Sequence, residues 1–244
     1  MQIHFISDLH LSADRPELTA LFEHYLAGPA QAADSLYILG DLFEYWAGDD
    51  DLDDPLNHGV AEVLAVFAEG GCKVHFMAGN RDFLLGSKFA TRARLHILDE
   101  PTLIQLGDQR TLLCHGDSLC TDDLAYQAFR TQVRNPAWQT QFLAQPLAVR
   151  KQIIAGARMK SETAKSEKDA AIMDVNGDTV AALLREHGFP LLIHGHTHRP
   201  AVHQIEVDGH HCERWVLADW RVEAERASGE VLTWADGKLS RQPL

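Results

Sequence analysis

The chain has 244 residues, 45% of them hydrophobic, and a formal net charge of −13 at pH 7. That length suits one sizeable α/β body with room for an insertion, no apolar run approaches the roughly 18 residues of a membrane span, and the acidic balance argues against general nucleic-acid binding. Four cysteines without C-x-x-C spacing, Cys72, Cys114, Cys120 and Cys212, read as buried free thiols and not as a disulfide framework. The start Met1 to Asp8 lacks a basic segment and a long apolar stretch, so a cytoplasmic protein is expected.

In chain order, the first apolar run is Ile3-His4-Phe5-Ile6, ending in Ser7-Asp8. Short, nearly continuous apolar runs bounded by small or polar residues predict strands buried on both faces. A helix follows over Pro16 to Ala27, with proline in its first turn and Gly28 past its end. The second run, Leu36-Tyr37-Ile38-Leu39, ends in Gly40-Asp41, and the acidic stretch Asp49 to Asp54 reads as a solvated loop lacking calcium-loop spacing. A second helix is predicted over Gly59 to Glu69, closed by Gly70-Gly71, and a third strand over Val74 to Ala78 before Gly79-Asn80. Strand and helix alternate, so the fold class is α/β in packed layers.

The fourth run, Thr111 to Cys114, ends in His115, with Cys114 expected on the core side of its strand. From about 122 to 187 the composition is helical, broken at Pro136 and Pro146, and predicts a helical insertion on a single domain spanning 1–244. Its apolar members Trp138, Phe142, Leu143, Leu147, Val149, Ile153 and Ile154 recur at helical spacing. Between Leu124 and Lys168 eight basic residues (Arg130, Arg134, Arg150, Lys151, Arg158, Lys160, Lys165, Lys168) meet two acidic ones, Glu162 and Glu167. Charge segregated this way is either a solvated helical face or a surface for an anionic partner. The fifth run, Leu191-Leu192-Ile193, leads into His194-Gly195-His196-Thr197-His198, and after Pro200 alternating runs at His211 to Leu217 and Glu230 to Trp234 predict strands of a second sheet packed on the first.

Ligands bind such sheets beyond the carboxyl ends of the strands, and here every strand end offers a metal-competent group. Asp8, His10, Asp41, Asn80, His115, His196 and His198 amount to two carboxylates, one amide and four imidazoles with no thiolate. That set suits Mn, Fe or Zn and not Cu(I) or an iron–sulfur cluster. Seven ligands are too many for one catalytic ion with an open position, but they divide sensibly between two.

Each motif alone says little, since Gly and Asp are common turn residues. In the order D-x-H, G-D, G-N-x-[DE], H-G, G-H-x-H, from Asp8 to His198, they resemble the calcineurin-like metallophosphoesterases. The resemblance implies a β-sandwich flanked by helices, with Asp8, His10 and His198 on one ion, Asn80, His115 and His196 on the other, and Asp41 between them. His194 lies outside the motif and is expected to be a structural strand-end residue. Where most of that family has histidine after the asparagine, this chain has Arg81. Arginine grips phosphate oxygens with parallel donors but is a poor proton donor to a leaving alkoxide. A leaving phosphate needs no such proton, so Arg81 points to a diphosphate substrate.

Blocks including Gly79-Asn80-Arg81-Asp82-Phe83-Leu84-Leu85-Gly86, His115 to Asp123, Tyr126 to Arg130 and Ala171 to Asn176 are similar to one branch of that family, the diphosphatases that act on UDP-2,3-diacylglucosamine in lipid A biosynthesis. The branch implies two Mn²⁺ ions and release of UMP by water attack on the α-phosphorus; a monomer working on the cytoplasmic face of the inner membrane is expected. It implies substrate contacts at Asn80, Arg81, Asp123, Ser161, Lys165, Lys168 and His196, with Lys165 standing where the branch has asparagine. The helical insertion then reads as a lid, its apolar faces lining an acyl chamber and its basic residues meeting the diphosphate or an anionic membrane surface. Two rivals remain at this level: another dinuclear phosphodiesterase acting on a nucleotide or nucleotide diphosphate, and a lipid-binding module that keeps its metals for structure only.

Overall fold

The computed structural model describes residues 1–167 and 174–244, with the side chains of 160–173 left outside the description. Strand β1 (Ile3–Ile6) lies at the centre of the first sheet, followed by helix α1 (Pro16–Ala27), β2 (Ser35–Leu39), α2 (Pro55–Glu69), β3 (Lys73–Met77), α3 (Ser87–Arg92) and β4 (Leu95–Leu98). β1 to β4 run parallel. A hairpin of β5 (Thr102–Leu106) and β6 (Gln109–Leu113) begins the second sheet. The predicted insertion then supplies α4 (Leu124–Val133), α5 (Pro136–Leu143), α6 (Leu147–Glu167) and α7 (Gly177–Glu186). β7 (Leu191–His194), β8 (Ala201–Val207) and β9 (His210–Val216) complete the second sheet, β10 (Arg221–Glu223) and β11 (Arg226–Ser228) form a small ribbon, and β12 (Glu230–Ala235) and β13 (Lys238–Pro243) close the fold.

The six-stranded sheet has the order β13-β12-β1-β2-β3-β4 and the five-stranded sheet β5-β6-β7-β9-β8. All five apolar runs are strands, but β6 and β7 stand in the second sheet. The expectation for Glu230 to Trp234 needs correction, because β12 does not join the second sheet: it pairs antiparallel with β1, Phe5 opposite Leu232. Its alternation matched either sheet equally well, and the choice was made by β1, whose free edge β12 fills. α1 has the predicted bounds. α2 starts four residues earlier than predicted, because Pro55 occupies its first turn and Asp54 accepts the Leu56 N–H at 3.1 Å.

Side chains alternate along each strand, and this sorts the core into layers. Ile3 and Phe5 of β1 meet Leu113 of β6 and Ile193 of β7 between the sheets. Ile6 faces Leu18, Phe22 and Tyr25 of α1 and Leu64 of α2 on the outer side. Leu112, Cys114 and Leu192 face Val180 and Leu184 of α7 beyond the second sheet. The result is a helix, sheet, sheet, helix sandwich, and each fully buried Leu or Phe in it contributes about 1.5–3 kcal/mol. Cys114 is on the core side as expected, and all four cysteines are free and buried. Among the described residues no helix is long and apolar enough to cross a membrane.

The acidic stretch 49–54 is not the solvated loop its composition predicts. Asp51 is buried, and Asp49 accepts N–H donors from Trp46 Nε1, Gly86, Lys88 and Phe89. Asp50 pairs with Arg150, which is 1% exposed, and Asp51 and Asp54 pair with Lys151. A run of like charge is tolerated here because α6 brings the opposite charges to it. The apolar residues of α5 and α6 divide: Phe142 is buried and Trp138 and Ile154 pack on the core, while Leu143, Val149 and Ile153 are exposed.

Candidate metal centre

The seven predicted residues sit at the carboxyl ends of β1, β2, β3, β6 and β7, where the two sheets meet. Asp8, His10, Asp41, His196 and His198 all have positive φ, between 51° and 68°. Such a conformation costs an L-residue of order 1–3 kcal/mol, and Asp and His are among the few side chains that visit it. The turns must also be thin. A Cβ on Gly79 would lie 2.1 Å from Asp41 Oδ1, and one on Gly195 would lie 2.2 Å from Ser7 Oγ and 2.4 Å from Asp8 Oδ2.

Two groups of ligand atoms converge, Asp8 with His10 and His198, and Asp8 with Asp41 and His115, each group within 4.8 Å. Asp41 offers one oxygen towards each, Oδ2 at 3.9 Å from His10 Nε2 and Oδ1 at 3.8 Å from His115 Nε2. Asn80 Oδ1 lies 3.0 Å from His115 Nε2. His196 belongs to neither group, but its ring packs edge-on against His115, centroids 5.1 Å apart, and its backbone N–H donates to Asp8 Oδ2 at 2.9 Å.

The atoms facing inward fit a pair of cations. His115 Nδ1 can only donate to the Leu39 carbonyl at 2.8 Å, which in the neutral ring leaves Nε2 as an acceptor facing another acceptor on Asn80. His10 Nε2 and His198 Nε2 face each other at 3.3 Å. Asp8 Oδ1 is buried with no hydrogen-bond partner among the described residues. Lone pairs turned towards one another in a dry site are expensive unless a proton or a metal lies between them.

The titration behaviour records the same crowding. Burial works against protonation of His115, yet the carboxylates of Asp41 and Asp8 push it up to about 9. Burial raises Asp41 to about 7. Asp8 goes the other way: burial opposes its charge, but the ion pair with His198 and the nearby imidazoles hold it well below the usual carboxylate range. Burial lowers His196 to about 3 and takes His10 well below its ordinary value. His194 is structural, as expected: Arg214 Nη1 donates to its Nε2 at 3.0 Å, its Nδ1–H donates to the Gly195 carbonyl at 2.8 Å, and burial lowers it to about 4.

The residues implied as substrate contacts fall differently. Arg81 is bonded through its backbone N–H to Asp41 Oδ1 at 2.8 Å. Asp123 caps α4 through the Tyr126 N–H at 3.1 Å. Ser161 and Lys165 lie on α6, but their side chains, like Lys168 as a whole, are outside the described residues. The basic patch turns inward where it is described: Arg130 pairs with Glu100 and Asp117, Arg134 donates to the carbonyls of Ala78 and Gly79, and Arg158 pairs with Glu44. These basic residues pin the insertion to the body.

Sequence reasoning gave no role to Asp82, which is fully buried and collects the backbone N–H groups of Asp41, Leu42, Phe43 and Gly79. Asp82 stood inside the quoted motif, and its position three residues after the glycine was the only signal available. Asp219, 3.5 Å from His198 Nδ1, had no signal at all.

A family model described as calcineurin-like phosphoesterase matches residues 1–200. A protein of Aromatoleum aromaticum named UDP-2,3-diacylglucosamine hydrolase is 60% identical over 92% of this chain and 91% of its own. Proteins of the same name from Escherichia coli and Chromohalobacter salexigens are each 50% identical, over 90% and 88% of this chain and 91% and 87% of theirs. Geometry, family match and relatives agree, and the chain belongs to the calcineurin-like phosphoesterase family.

Proposed function

We propose that the chain hydrolyses the diphosphate of UDP-2,3-diacylglucosamine by water attack on the α-phosphorus, releasing UMP and 2,3-diacylglucosamine 1-phosphate in lipid A biosynthesis, with two Mn²⁺ as cofactor. The observation that carries the chemistry is Arg81 fixed beside the acid and imidazole cluster, where a leaving phosphate needs its charge neutralised. The names of relatives 50–60% identical support the substrate.

Asp8, His10 and His198 would hold one ion, Asn80, His115 and His196 the other, and Asp41 both. When bound, such ions lower the pKa of water towards neutrality and draw charge from phosphate oxygens. Arg81 then meets the charge that grows on the departing phosphate, and its fixed backbone means little reorganisation as it does so. Asn80, Asp123, Ser161, Lys165, Lys168 and His196 complete the substrate contacts. The lid of this reading is shorter than the whole insertion: α4 to α6 cover the site, while α7 packs on the second sheet through Val180 and Leu184 and belongs to the body. The acyl chains are accommodated along α5 and α6, where Leu143, Val149 and Ile153 are exposed, and those faces set the enzyme on the inner membrane surface.

A phosphorus NMR time course in ¹⁸O-water, with Mn²⁺ and in parallel with chelator, tests the reading. UMP and the sugar 1-phosphate should appear only with metal, with the label on UMP. Label on the sugar phosphate would move the attack to the other phosphorus, and no turnover in Mn²⁺ would remove the lipid substrate.

A further inference from the structure

Glu44 follows β2 by five residues, and its backbone N–H donates to the Leu11 carbonyl at 3.0 Å, which sets it beside the His10 turn. It is only 7% exposed. Its carboxylate is shared among four groups from four parts of the chain. Oε1 lies 2.8 Å from Arg158 Nη2 on α6 and 3.6 Å from Arg81 Nη1 on the turn after β3. Oε2 meets the guanidinium of Arg15, next to the start of α1, and lies 3.5 Å from His10 Nδ1.

Among the described residues three guanidinium groups around one carboxylate leave a surplus of two positive charges. Arg81 Nε, Arg158 Nε and His10 Nδ1 are also buried without a hydrogen-bond partner among the described residues. Buried donors of this kind are costly unless an acceptor arrives. Three cations that close would separate without a shared anion, and Glu44 is the anion all three touch. Its fourth contact matters for the metal centre. A ring that turns Nε2 towards a cation is oriented by what its other nitrogen faces; His10 Nδ1 makes no hydrogen bond among the described residues, and Glu44 Oε2, 3.5 Å away, is the acceptor placed to take one.

We propose that Glu44 is a positioning residue for the phosphoryl chemistry: one carboxylate orients His10, keeps Arg81 at the cluster and ties the insertion helix to the site through Arg158. The proposal rests on the diphosphate reading of the site for what the surplus charge serves. A carboxylate that merely competed with substrate for the arginines would behave in the opposite way, since removing it would free all three of them for the anion.

Glu44→Gln keeps the shape and removes the charge. In calorimetric titration of chelator-stripped protein, Mn²⁺ affinity at one of two sites should fall about 10–100-fold, the range found when an orienting partner of a metal-bound histidine is lost. With Mn²⁺ saturating, KM for UDP-2,3-diacylglucosamine should rise, and Glu44→Asp should recover part of both losses. Unchanged Mn²⁺ affinity, or a KM that falls, overturns the proposal. If Glu44→Gln gives no cooperative melt, Glu44→Asp decides alone: weaker Mn²⁺ binding with a raised KM supports it, and wild-type values of either overturn it. The metal arm needs no substrate, so a wild-type chain that fails to turn over the lipid while Glu44→Gln weakens Mn²⁺ removes the diphosphate reading and leaves the hold on His10 standing.

Discussion

Replacing Asp82 by asparagine should unsettle the fold and the metal centre together, by an amount the hydrogen bonds allow one to work out. Asp82 is 0% exposed; Oδ1 accepts from Gly79 N at 2.8 Å and Asp41 N at 3.3 Å, and Oδ2 from Leu42 N at 2.7 Å and Phe43 N at 3.4 Å. Each oxygen takes one short and one long bond, so either orientation of the amide keeps one pair and points an NH₂ group at the other. A hydrogen bond to a charged group contributes about 1.5–3 kcal/mol, and a buried N–H left unpaired costs about 1–3 kcal/mol. Discounting for relaxation of the turn, the loss is about 3 kcal/mol, which for a chain of this size is a fall of roughly 6–12 °C in Tm. Thermal melts of chelator-stripped Asp82→Asn and wild-type protein, followed by Mn²⁺ titration, measure both effects. Burial raises the pKa of Asp82 even though the backbone donors oppose it. A neutral Asp82 would be well imitated by asparagine, so a Tm within a degree or two of wild type would refute the picture of an anion clamping the two turns.

Arg81→His should narrow the preference for a diphosphate over a phosphomonoester of a simple alcohol, and equal selectivity in the two proteins, by kcat/KM on both substrates, would defeat the role given to arginine. Arg150→Met removes a guanidinium 1% exposed that binds Asp50, the Ala47 carbonyl and the Gln145 carbonyl; Asp50 is 55% exposed and keeps its solvent, so the loss should be about 2 kcal/mol, below the range for a fully buried pair. Faster hydrogen exchange in α6 should accompany it, and unchanged exchange would show that this pair does not anchor the helix. Burial lowers both His4 and His194 to about 4 from an ordinary 6.5. At these two positions, and at His196, lowered to about 3, the unfolded chain binds more protons in that window; Asp41, raised to about 7, works the other way, and with three groups against one stability should fall as pH drops from 6.5 towards 4. Guanidinium midpoints of stripped protein at pH 7.5, 6 and 5 check the sign, and a midpoint that held or rose at pH 5 would contradict it.

The strand ends were legible because buried parallel strands and the breakers after them leave a strong local pattern, and the seven ligand candidates ride on those ends. Burial, by contrast, joins residues without any fixed spacing. Nothing in Asp49 to Asp54 announces that Arg150 and Lys151, about a hundred residues on, will neutralise it. Glu44 and Asp82 are single acids whose roles arise only when several turns meet. The placement of β12 was invisible for a related reason: an alternating strand specifies which of its faces is buried, but the partner is chosen by whichever edge is open.

That open edge belongs to β1, which pairs with β2 on one side and with β12, more than two hundred residues later, on the other. Asp8 and His10 leave the ribosome about 190 residues before His196 and His198. At the usual 5–20 residues per second the interval is roughly 10–40 s. Throughout it the nascent chain carries an incomplete metal centre and a central strand with one side unpaired. Such long-range closure is slow and exposes edges that invite aggregation, so the first sheet is completed only after the second has been made, and the seven candidate ligands are not all present until His198 has been added.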